Sequence, residues 1–144
     1  MMGWLRKTFG RGEQPVERVE DPVLGTLVWS KDDEGWVGQL GGLRIVVCDS
    51  IRAVPSPQVL DYARTVLGPQ GDLFRKALAE AKAAYRETYR LAAEEFDRLE
   101  PGTLSFEIAQ RGPVCFVELI GGNPDRFWRV EFTGTNCDGF GFDT

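Results

Sequence analysis

Residues 72–99, DLFRKALAEAKAAYRETYRLAAEEFDRL, decide how this chain is put together. At about 100° per residue, Leu73, Phe74, Ala77, Leu78, Ala81, Ala84, Tyr85, Thr88, Tyr89, Leu91, Ala92, Phe96 and Leu99 fall on one side. Arg75, Lys76, Glu80, Lys82, Arg86, Glu87, Arg90, Glu94, Asp97 and Arg98 fall on the other. Alanine, the strongest helix former, fills much of the remainder. Asp72 suits an N-cap, and Pro101-Gly102 ends the run because proline cannot continue the ladder. The pattern predicts a single amphipathic helix about 40 Å long. An apolar arc this wide needs a broad partner, which a sheet supplies.

Strand-like runs flank the helix on both sides. Residues 24–30 (LGTLVWS), 36–40 (WVGQL) and 43–49 (LRIVVCD) read as a three-strand meander, with KDDEG and Gly41-Gly42 as its turns. Ser56-Pro57 then opens a shorter helix with Val59, Leu60, Ala63, Val66 and Leu67 on its apolar face, closed by Gly68-Pro69. After Pro101-Gly102 the period returns to two. Leu104, Phe106 and Ile108 alternate with polar residues, residues 114–120 and 126–133 follow, and Asp138-Gly139 is read as a hairpin into 140–142. The expected fold is a single α+β domain over residues 23–144. Its mainly antiparallel sheet (three-strand meander, two helices, four-strand meander) packs against the one long helix.

The 144 residues fit one domain, with an ordinary 42% hydrophobic and 27% charged content. The net charge of -5 argues against nucleic acid as a partner. Charge is unevenly placed, since Arg6, Lys7 and Arg11 give residues 1–12 a charge of +3 and leave -8 for the rest. The chain contains no histidine, which removes Ser-His and Cys-His nucleophile pairs, His-ligated metal sites and the usual general base near neutral pH. Three cysteines without a CxxC do not form a disulfide framework. With no signal peptide or apolar span of about 20 residues, the expected compartment is the cytoplasm.

Residues 1–22 read as a basic tail and linker. Trp4, Leu5 and Phe9 against Arg6, Lys7 and Arg11 make residues 3–11 a short amphipathic segment suited to a membrane surface or a partner, though a frayed terminus explains it more simply.

Candidate sites are few. GGLR and GGNP lack the lysine and context of a phosphate loop. Glu107, Glu118 and Glu131 fall in three strands whose adjacency could bring carboxylates together for acid–base work; solvent exposure on the polar side of the sheet is the simpler reading. Asn136, Asp138 and Asp143 offer spaced oxygens for a cation, but do not follow the calcium-loop pattern, and a hairpin turn explains the same residues. Trp29, Trp36, Phe127, Trp128, Phe140 and Phe142 are too many for one side of a small sheet, so exposed members are expected to anchor an interface.

LGTLVW…GWVG near the start and RFWRVEF…GFGFDT at the end resemble a family of small bacterial proteins catalogued as a domain of unknown function. The resemblance covers residues 21–144 and implies the order three strands, helix, several strands. Some similar small domains are thought to be immunity or accessory proteins that bind another protein; the resemblance carries no catalytic residue. The expectation is a cytosolic, non-enzymatic protein-interaction module with no cofactor, with self-association left open. The alternative is a protein that binds or hydrolyses a small molecule through its C-terminal carboxylates.

Overall fold

The computed structural model describes residues 17–48, 55–68 and 72–144. The basic segment 3–11 and the first part of the linker lie outside the described residues. Among the described residues, eight strands form one sheet in chain order: β1 (Arg18–Asp21), β2 (Gly25–Ser30), β3 (Gly35–Leu40), β4 (Leu43–Cys48), β5 (Glu100–Ala109), β6 (Gly112–Ile120), β7 (Phe127–Thr133) and β8 (Asn136–Asp143). Between β4 and β5 lie α1 (Pro57–Leu67), α2 (Asp72–Tyr85), a 3-10 turn (Arg90–Ala92) and α3 (Ala93–Arg98). All neighbouring strands are antiparallel except β4 and β5, which are parallel. Parallel neighbours need a long crossover, and the helices provide it.

The mixed architecture and the mostly antiparallel sheet match the reading from sequence, and three details differ. Arg18–Asp21 pairs with β2 although this stretch reads as polar linker; the first meander therefore has four strands. The final turn falls at Gly134-Thr135 rather than at Asp138-Gly139, which lie within β8. Gly134 has φ +61°, which suits a tight turn.

The third difference is the helix. In a straight helix Lys82 and Leu99 would stand about 25 Å apart, yet Lys82 Nζ donates to the Leu99 carbonyl at 3.0 Å. Arg86 likewise donates twice to Asp97, at 3.1 and 2.7 Å. The chain therefore doubles back after Tyr85, although no glycine or proline marks the break. Tyr89 occupies the bend, stacked on Phe96 at 5.6 Å and edge-on to Trp128 at 4.9 Å. Its hydroxyl donates to the Phe140 carbonyl at 2.7 Å. Leu91, on the predicted apolar arc, is 96% exposed in consequence.

The helices cover one face of the sheet. Leu27, Trp36, Ile45, Val47, Leu104, Phe106, Val117, Trp128, Val130 and Phe140 join Leu60, Ala63, Leu67, Phe74, Leu78 and Phe96 in a single apolar cluster. At the turn between β1 and β2, Asp21 accepts from the Val23 and Leu24 amides and from Arg64 of α1. Burial pushes the Asp21 carboxyl up, and these donors outweigh it, holding it below the usual carboxylate range.

Candidate functional groove

The alternation of a strand sends every second side chain to the opposite face, and here that face carries no described helix. One row crosses all eight strands: Arg18, Val28, Val37, Val46, Ser105, Phe116, Glu131 and Gly139. Over β5–β8 the face forms a groove of about 970 Å³ bounded at one end by the β6–β7 loop. Glu107, Ser105, Phe116, Glu118, Arg129 and Phe127 line it. Phe116 sits between the two glutamates, with Glu107 opposite Val114, Ser105 opposite Phe116, and Glu118 opposite Thr103. Ile120 and Phe127, 52% and 71% exposed, flank the loop and form an apolar end.

The loop is fixed from beneath by a buried carboxylate. Glu95 of α3 accepts from the Asn123 amide at 2.8 Å and from Trp128 Nε1 at 2.7 Å, and forms an ion pair with Arg126. Burial pushes this carboxyl up, but the Trp128 and Asn123 hydrogen bonds and the Arg126 charge prevail and hold it below the usual range. Such hydrogen bonding stabilises the ionised form. Gly121 and Gly122 permit the approach: a Cβ at Gly121 would lie 2.6 Å from the Arg98 carbonyl, and one at Gly122 would lie 2.8 Å from Glu95 Oε2. Arg126 also lies over the Phe142 ring, 4.9 Å from its centroid.

Of the three carboxylates singled out from sequence, Glu107 and Glu118 line the groove. Glu131 is instead ion-paired with Arg111, which also lies 3.7 Å from Asp138. Among the described residues Glu107 and Glu118 form no ion pair; Arg129, opposite Glu118, pairs with Asp143 at 3.4 Å. The glutamates' backbone positions are four residues apart along the strands, about 13 Å, against roughly 5–9.5 Å between the carboxyl groups of glycosidase pairs. Cys48 lies at the far end of the groove. Burial, with Glu107, Asp33 and Glu34 nearby, pushes its thiol up to about 11, so it remains protonated near neutral pH and is a poor nucleophile.

Asn136 and Asp143 stand at opposite ends of β8, roughly 23 Å apart along the strand, and Asp138 hydrogen-bonds Thr133. These three do not converge on one point. Among the six aromatics, Trp36, Trp128 and Phe140 are buried; Trp29 is half-buried, 5.7 Å from the Trp36 ring. Phe127 and Phe142 are the exposed members.

Phe116, Ile120, Glu95 and Arg126 were not among the residues singled out from sequence. Phe116 and Ile120 carry a legible signal: they are apolar at the same strand parity as Glu118, out of phase with Val117 and Leu119. Glu95 carries another, lying four residues after Leu91 and four before Leu99, an acid set on the apolar arc.

No family model matches the chain, and neither curated proteins nor solved structures offer a match to it. The resemblance drawn from LGTLVW and RFWRVEF rests on those residues alone. Among the described residues no helix is long and apolar enough to cross a membrane.

Proposed function

We propose that the protein is a non-catalytic module that binds another protein through the groove on the sheet face opposite the described helices. The observation that carries this reading is the exposed pair Ile120 and Phe127 at the end of a groove whose two carboxylates form no ion pair among the described residues. Interface energy concentrates in a few anchors, aromatics prominent among them, with charges around them setting orientation. A rim held by Glu95 keeps those anchors in place before a partner arrives, and preorganisation of this kind lowers the cost of binding.

Tagged chain and its Phe127→Ala variant are passed through a lysate of the source cells and the bound proteins identified by mass spectrometry. The expected result is a near-stoichiometric partner on the parent chain, reduced at least tenfold on the variant. Recovery of the bare chain in both cases, or equal retention, would overturn the reading.

A second reading is favoured by the groove's volume, which falls within the roughly 300–1,000 Å³ of small-molecule sites. Glu107 and Glu118 would then hold a cationic ligand, and replacing either with glutamine would remove a ligand-induced rise in melting temperature.

A further inference from the structure

The groove presents its features at regular intervals. Down the open face, Glu107, the Ser105–Phe116 pair, Glu118, and the Ile120–Phe127 end follow one another at two-residue steps along the strands. An extended segment lying along them presents one side chain per step, because alternate residues of a strand share a face. Its complement therefore alternates cation, apolar, cation, apolar. A cation four residues from the next spans the same distance of about 13 Å as the two glutamates.

This chain contains such a segment. Read from Arg11 towards the N-terminus, alternate residues are Arg11, Phe9, Lys7 and Leu5. They supply a cation for Glu107, a ring for Phe116, a cation for Glu118 and an aliphatic side chain for Ile120 and Phe127. Residues 1–12 carry +3 and the remainder -8, so the two parts attract at low salt. The tether is long enough. From Glu17 to Arg11 is six residues, up to roughly 20 Å, and β1 lies four strand spacings from β5, roughly 19 Å.

The geometry points to residues 5–11 of the same chain as the occupant of the groove when no partner is bound. This rests on the groove being the binding site and adds a regulatory consequence. A partner must displace the segment, and its own contacting stretch would share the alternation of cation and apolar residue. The segment lowers partner affinity by occupying the site, as any intramolecular competitor does in proportion to its effective concentration.

The full-length chain is treated at low salt with a carbodiimide, which joins a lysine amine to a carboxylate with no spacer, and the monomer band is mapped by mass spectrometry. A Lys7–Glu118 link is expected, reduced several-fold at 0.5 M salt and absent in Glu118→Gln. A monomer in which Lys7 is not joined to Glu118, or a link confined to covalent dimers, would overturn the assignment to the same chain. With the captured partner titrated by calorimetry, Lys7→Gln with Arg11→Gln is expected to tighten binding several-fold, and unchanged affinity would also count against it. Loss of the Lys7 link while Phe127→Ala still releases the partner would remove the tail from the groove and leave the groove as the binding site. Equal retention by Phe127→Ala would remove the groove itself.

Discussion

The two faces of this sheet use similar residues to different ends. On the covered face, Trp128, Phe96 and Phe140 are buried with Tyr89 among them, their rings at 5.0–6.2 Å in tilted and edge-on arrangements. On the open face, Phe116 and Phe127 stand among carboxylates and arginines with no described element above them. Hydrophobic surface withdrawn from water stabilises the fold, whereas apolar surface left exposed beside charge is available for binding. Phe127 and Trp128 are adjacent in sequence, yet one is 71% exposed and the other 2%. Strand parity alone separates them.

The largest effect should come from breaking the covered face. Phe96→Ala removes a ring that is 1% exposed at the centre of the cluster, and urea denaturation should show a loss of about 3–5 kcal/mol. Glu95→Ala comes next. It strands the Trp128 indole and the Asn123 amide and leaves Arg126 without its partner, for an expected loss of about 2–4 kcal/mol. Because Glu95 joins the covered face to the groove rim, its loss should also weaken partner capture, whereas Phe96→Ala should leave the rim contacts in place. Tyr89→Phe keeps the ring stacking and removes only the bond to the Phe140 carbonyl, costing about 1 kcal/mol. The smallest change in stability, within about 0.5 kcal/mol, is expected for the exposed Phe127→Ala. The comparison would fail if Phe127→Ala destabilised the chain as much as Tyr89→Phe.

Acid sharpens the same contrast. The carboxyls of Asp21 and Glu95 are held below their ordinary values in the folded chain. A lowered folded value gives stability that is fully present above the unfolded value, about 4, and is lost as pH falls through the folded one. Melting temperature should therefore drop steeply below about pH 4. Glu95→Gln should flatten that drop, whereas Phe127→Ala, which removes no titrating group, should leave its shape unchanged.

Much of the fold was legible because alternation and turn chemistry are local. Ser56-Pro57 begins α1, Gly41-Gly42 turns β3 into β4, and the period of two in residues 104–108 marks β5. The break in the long helix was not legible from propensity. Residues 86–89 contain no helix breaker; the bend is set by Tyr89 packing on Trp128 and Phe140, contacts made with strands about 40 to 50 residues later. β1 escaped because a four-residue strand of charged and apolar residues reads as linker until Asp21 is seen bonded to Arg64. In the groove, Glu107, Glu118 and Phe127 were singled out from sequence. Their spacing was not, since it depends on the register of β5, β6 and β7 across the sheet and on a loop held by Glu95.

The most direct test of the account sets two exposed apolar residues against each other. Leu91, on the helical side, is more exposed than Phe127, at 96% against 71%. The captured partner is titrated against the parent chain, Leu91→Ala and Phe127→Ala, with binding followed by calorimetry. The account predicts that Leu91→Ala binds as the parent does and that Phe127→Ala binds at least tenfold more weakly. Binding lost with Leu91→Ala and retained with Phe127→Ala would place the interface on the helical side and contradict it.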